Sequence, residues 1–115
     1  MKLFYRKYGS GLPLIILHGL YGSSDNWVSI AKSISDRFTV YLPDMRNHGQ
    51  SPHSPVHNYD SMTEDLFELV NDLKLKKFFL AGHSMGVKTA VDFALPCPEK
   101  LYGLLVADMS PIVRE

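Results

Sequence analysis

One stretch limits what this chain can become. In Lys77-Phe78-Phe79-Leu80-Ala81-Gly82-His83-Ser84-Met85-Gly86 a short apolar run meets a glycine-flanked serine and then a helix-forming segment. It reads as a buried strand, a tight turn and a helix start. Gly82 and Gly86 lack a Cβ, so strand and helix backbones can pass close together while Ser84 occupies the apex of a strained turn. The hydroxyl is then pushed out over the edge of a sheet. Backbone N–H groups at the start of the following helix face the same point, where they and the helix dipole favour negative charge. The pattern is the G-x-S-x-G nucleophile elbow. Its structural alternative is a glycine-rich turn whose serine caps the helix.

The rest of the chain supplies a scaffold for such a turn. Leu14 to Leu17 is continuously apolar, as strands covered on both faces are; Phe38 to Leu42 reads as a second buried strand and Leu101 to Ala107 as a last apolar one. Leu3 to Tyr8 mixes apolar and basic residues and reads as a half-exposed strand. Helical spacing appears at Trp27, Ile30, Ala31 and Ile34, with Ser24 or Asp25 placed as a cap, and again at Leu66, Leu69, Val70 and Leu73. Ser61-Met62-Thr63-Glu64 reads as the capping box of that second helix. A third helix is expected from Met85 to about Leu95. Strands alternating with helices give an α/β, doubly wound and mostly parallel sheet of about five strands, in one domain spanning residues 1–115. Chemistry in such sheets gathers at the carboxyl ends of the strands. Here those ends read His18-Gly19, Asp44, Gly82-His83-Ser84 and Asp108.

Charge and cysteine content exclude several classes. Twelve basic and twelve acidic residues cancel, so nothing steers the chain toward nucleic acid or an anionic membrane. No run approaches the roughly 20 apolar residues of a membrane span. The basic N-terminus before Leu12 to Leu17 has the look of a signal peptide, but Pro13 and the His18-Gly19 ending argue against one. The single cysteine, Cys97, lies between prolines with no basic neighbour and reads as structural. A cytoplasmic protein is expected. His48, His53 and His57 share the loop between Asp44 and Tyr59, but no Cys or carboxylate completes a ligand set, so neither metal nor other cofactor is expected.

The spaced set H-G-L-Y-G-S-S-D-N-W, D-M-R-N-H-G-Q-S, G-H-S-M-G and D-M-S-P resembles the N-terminal half of the α/β-hydrolase fold, over essentially the whole chain. Within that fold it is most similar to small bacterial carboxylesterases related to abhydrolase-domain-containing protein 11. The resemblance implies that Ser84 is the nucleophile, that the backbone N–H groups of Leu20 and Met85 form the oxyanion hole, and that Asp108 is the triad acid. Adjacent strands lie about 4.8 Å apart, so a carboxylate at Asp108 would reach an imidazole that also touches Ser84. His18 is implied to orient its loop and His83 to pack away from the site. Asp44 and Arg46 are expected to hold their loop through a charge-assisted pair. Val87 departs from the glycine usual in these esterases.

The same resemblance implies two further strands, a lid and a histidine-bearing loop that the 115 residues do not contain, so the chain reads as a truncated domain with its base expected after Glu115. The expected activity is cleavage of small acyl esters through an acyl-enzyme. The alternatives are a thioesterase or C–C bond hydrolase of the same fold, or a non-catalytic pseudo-hydrolase fragment. A small-molecule ester is the expected partner, together with self-association through an exposed last strand, Leu104-Leu105-Val106.

Overall fold

The computed structural model describes residues 1–20 and 22–107. The chain runs β1 (Tyr5–Tyr8), β2 (Leu12–Leu17), α1 (Val28–Ser33), β3 (Phe38–Pro43), α2 (Tyr59–Asp72), β4 (Phe78–His83), α3 (Met85–Ala94) and β5 (Leu101–Ala107). Short 3-10 turns lie at Ser24–Trp27 and Pro98–Lys100. The strands form one sheet in the order β1-β3-β2-β4-β5, parallel except for β1, which pairs antiparallel with β3. This is the mostly parallel sheet of about five strands that the alternation of strands and helices predicts, and the partial α/β-hydrolase sheet that the resemblance implies.

The period-two rule sorts the strand side chains between two cores. Ile15 and Leu17 of β2, Tyr41 of β3, and Phe78 and Leu80 of β4 face α2 and α3. There they meet Leu66, Leu69, Val70, Ala90 and Phe93, with the Phe67 and Phe93 rings 4.3 Å apart. On the opposite face Ile16, Val40 and Leu42 pack against Ala31 of α1. Because the two central strands are covered on both faces, their sequences are uniformly apolar rather than alternating.

Two helix starts differ from the sequence expectation. The second helix begins one turn before the expected capping box: Asn58 is the cap, its Oδ1 accepting from the Ser61 amide at 2.8 Å. Asn58 holds an extended backbone, and Ser61 is left inside the first turn. Before α1, the capping residue is Ser23, not Ser24 or Asp25. Ser23 Oγ accepts from the Asp25 amide, and Asn26 Oδ1 accepts from the Ser23 amide at 2.9 Å. Ser24 is buried instead, its amide committed to Asp44. In both places an asparagine carboxamide closes the first turn, Asn58 reaching forward to Ser61 and Asn26 back to Ser23.

β5 is the sheet's outer strand among the described residues and pairs with β4 from Phe78 opposite Leu101 to His83 opposite Ala107. Tyr102, Leu104, Leu105 and Val106 are exposed, Leu105 to 69%. Beside it, on the α1 face, an apolar cleft of about 450 Å³ is lined by Trp27, Ile30, Phe79, Leu104 and Leu105. An uncharged outer strand with an unpaired backbone is a template for another chain. The 115-residue polypeptide made alone is therefore predicted to self-associate, and Leu105→Lys to weaken that association, in sedimentation velocity across a concentration series. A monodisperse monomer at every concentration would contradict the prediction.

Candidate active site

The connection between β4 and α3 is one residue long. Ser84 takes φ 55° and ψ −115°, a region that L side chains adopt only under constraint. Its hydroxyl makes no capping bond to the helix that follows, whose first turn is closed by Val87 N–H donating to Ser84 O at 2.9 Å. Ser84 is exposed while Met85 and Gly86 are buried. The close approach explains the glycines. A Cβ on Gly86 would lie 2.5 Å from the Leu17 carbonyl oxygen of β2 and 2.8 Å from Leu17 Cβ. A Cβ on Gly82 would run into the Gly86 carbonyl. Val87 is half-buried beside this contact.

The loop after β2 passes directly over the turn. A Cβ on Gly19 would fall 3.0 Å from Ser84 Cβ and 2.9 Å from His83 Nδ1. Gly22 N–H donates to Gly19 O at 3.0 Å, which folds the loop back and leaves Leu20 exposed beside Ser84. Leu20, Ser84 and Met85 line one open cleft of about 440 Å³, with His57, Tyr59 and Met62. Three residues from two strand ends thus meet at a single concavity.

A buried polar network ties the loop after β2 to the loop after β3. His18 is fully buried; its Nε2 accepts from the Met45 amide at 2.9 Å, so the ring proton is on Nδ1, which donates to Gly19 O at 2.7 Å. Both nitrogens are occupied. Burial holds its pKa below the ordinary imidazole value, so it stays neutral. Asp44 is buried and accepts from two backbone amides, Ser24 at 2.6 Å and Gln50 at 2.9 Å, joining the loop after β2 to its own.

The expected Asp44–Arg46 pair is not what the structure holds. Arg46 forks onto Asp65 of α2, Nε to Oδ2 at 2.7 Å and Nη2 to Oδ1 at 2.9 Å, while Nη1 donates to Val56 O at 2.9 Å. A planar guanidinium matches a carboxylate approached in its own plane, and Asp65 offers that while Asp44 is spent on amides. The hydrogen bonds to Asp65 raise the Arg46 pKa. Asp65 was legible in one respect, because it interrupts the apolar stripe of Met62, Leu66, Leu69 and Val70 on the buried side of α2.

The other histidines divide. His83 packs against the Trp27 ring, centroids 5.5 Å apart. His48 is buried with Nδ1 on Arg46 O at 2.8 Å, and His57 Nδ1 lies 3.1 Å from Asn47 Nδ2. Among the described residues no hydrogen bond joins Ser84 to an imidazole, and no three His, Cys, Asp or Glu side chains gather as a metal set. Cys97 is buried with Sγ on Phe93 O at 3.1 Å, and burial pushes its thiol pKa up. Asp108 lies outside the described residues. No described helix is long and apolar enough to cross a membrane.

The sequence profile of the α/β-hydrolase fold matches residues 13–104. A zebrafish (Danio rerio) protein, sn-1-specific diacylglycerol lipase ABHD11, is 50% identical over 105 residues, covering 90% of this chain and 33% of its own length. The Escherichia coli esterase YbfF is 34% identical over 87% of this chain and 39% of its own. In three dimensions an esterase from a marine microorganism superposes with a TM-score of 0.91 at 55% identity, covering 96% of this chain and 42% of that one. The chain therefore spans between a third and two fifths of the length of these curated relatives.

Two outcomes follow from the geometry. Ser84→Gly should raise the unfolding free energy by about 1 kcal/mol, because glycine holds φ 55° without strain. A loss of stability in urea unfolding would mean that the turn is relaxed. His18 must enter the fold neutral, and an unfolded imidazole takes up a proton below about pH 6.5. Its contribution is thus complete above that pH and declines as the pH falls below it, toward the lowered folded value. Urea unfolding at pH 7.5 and 5.5 should show this loss, and His18→Asn should shrink it; an identical loss in the variant would contradict the assignment.

Proposed function

This chain belongs to the α/β-hydrolase fold family and is related to the ABHD11 proteins, and from that premise we propose that the protein carrying it is a serine carboxylesterase that cleaves small acyl esters through an acyl-enzyme on Ser84. One observation carries the reading: an uncapped, exposed serine hydroxyl held at φ 55° over the carboxyl edge of a parallel sheet. A serine that served the helix would accept from its first free amides. This one does not, and the strain stored at the turn is consistent with a reactive position.

In this reading Ser84 Oγ attacks the ester carbonyl and passes its proton to an imidazole, which then protonates the departing alcohol. Water reverses the sequence and frees the acid. The carbonyl oxygen gains negative charge at the mouth of α3, where the amide of Met85 is the first of the helix. The Leu20 amide, on the loop that crosses at Gly19, is the second donor. Preorganised donors of this kind contribute about 3 kcal/mol each to the barrier. Among the described residues no imidazole hydrogen-bonds to Ser84, and the base is expected from outside them. Asp108 is taken as the acid from the family resemblance; the residue before it, Ala107, stands opposite His83 in the β4–β5 register. Names borne by the relatives, an esterase and a lipase, favour oxygen esters over thioesters or C–C bonds.

A fluorophosphonate probe should label Ser84 in the full-length protein, and Ser84→Ala should abolish both labelling and hydrolysis of short p-nitrophenyl esters. A folded protein that neither labels nor hydrolyses would establish the non-catalytic alternative.

A further inference from the structure

The turn that begins at Gly19 is closed from two sides. Gly22 N–H donates to Gly19 O at 3.0 Å, and His18 Nδ1 donates to the same oxygen at 2.7 Å. The Gly19–Leu20 peptide is trans, and a trans peptide aims its N–H opposite its C=O. With the carbonyl turned inward to Gly22 and His18, the Leu20 amide points out of the turn. Leu20 shares the cleft with Ser84 and Met85.

The far end of that turn is held by Asn26. Its Oδ1 accepts from the Ser23 amide at 2.9 Å, and its own backbone amide donates to Ser23 O at 3.1 Å, so Asn26 grips Ser23 by both backbone groups. The Ser23 amide belongs to the peptide that joins it to Gly22, and the carboxamide therefore sets the plane of that peptide. The same Oδ1 occupies the space beside Gly22, where a Cβ would run into it. One residue further on, the Ser24 amide is fixed to the buried Asp44 at 2.6 Å. Asn26 does not line the cleft itself. Its influence there passes through Gly22 and Gly19.

We propose that Asn26 is a positioning residue for ester cleavage: through Ser23 and Gly22 its carboxamide holds the Gly19–Leu20 peptide so that the Leu20 amide meets the acyl carbonyl oxygen as that oxygen gains charge. The inference rests on the Ser84 reading. Without the carboxamide the Ser23 amide loses its acceptor and the Gly22–Gly19 bond loses its support, while His18 still holds Gly19 O. The Leu20 amide is then displaced rather than removed. Loss of a whole oxyanion donor costs about 100- to 1000-fold in rate, so a displaced one should cost on the order of tenfold.

The test compares p-nitrophenyl butyrate with its thiono analogue, in which sulfur replaces the carbonyl oxygen, in the full-length protein, following p-nitrophenolate release. The readout is the ratio of their kcat/KM values, oxygen over sulfur. Sulfur is a weak hydrogen-bond acceptor, so the ratio reports how well the developing charge is bound. Both rates scale with the same active enzyme, and a variant that is merely less stable leaves the ratio where it was. Asn26→Ala should lower the ratio about tenfold, and Asn26→Asp, which keeps the accepting oxygen, should restore it to within about twofold. Gly22→Ala, whose methyl must displace the carboxamide, should lower it in the same way and reads the same contact should Asn26→Ala fail to fold. A ratio unmoved by either alanine variant, or a fall that Asn26→Asp does not restore, would overturn the proposal. Fluorophosphonate labelling of the wild type separates the two levels. A labelled protein with an unmoved ratio overturns the role of Asn26 alone, whereas an unlabelled one overturns the Ser84 reading and this proposal with it.

Discussion

Everything at the site depends on how closely α3 approaches the sheet. Its first turn lies against the Leu17 carbonyl of β2, at a distance only Gly86 allows, and β4 admits that turn only because Gly82 carries no side chain. With both backbones fixed by the sheet and the core, one residue must reverse the chain between them. Ser84 does so at a positive φ. The strain, typically 1–3 kcal/mol, is sustained by the burial of Leu17, Phe78, Leu80, Ala90 and Phe93, which holds helix and strands together.

A second network holds the opposite wall. Asp44, His18 and Arg46 contribute no group to the cleft, yet each fixes a stretch of backbone that does. Asp44 ties Ser24 to Gln50, His18 ties Gly19 to Met45, and Arg46 ties the loop after β3 to Asp65 on α2. The Arg46–Asp65 pair is nearly buried, so the loss of either partner would strand a charge at a cost of about 3–5 kcal/mol. The loop that carries His57 is thereby anchored at both ends. A neutral His18 in the middle of the network links the integrity of that wall to pH.

The sequence made the strands and the elbow legible because fully covered strands are apolar throughout and because glycines spaced around a serine have few other physical uses. Features decided by a carboxamide or a charge reaching across the fold were less visible. Asn58 caps α2 and Asn26 completes the capping box of Ser23 through side chains that propensity cannot aim, and both caps differ from those expected from the serine and aspartate pattern. Asp44 and Arg46, two residues apart, looked like a pair; only the path of α2 shows that Asp65 offers the better-shaped partner. His57 read as one of three loop histidines until the fold set it in the wall of the cleft that holds Ser84.

The proposed esterase requires Ser84 to face two amide donors at the point where negative charge develops. That requirement is tested most directly by a crystal structure of the full-length protein bearing a phosphonyl group on Ser84 Oγ. The expected result is a phosphonyl oxygen within about 3 Å of both the Leu20 and Met85 amide nitrogens. An oxygen turned to solvent with neither amide in reach would contradict it.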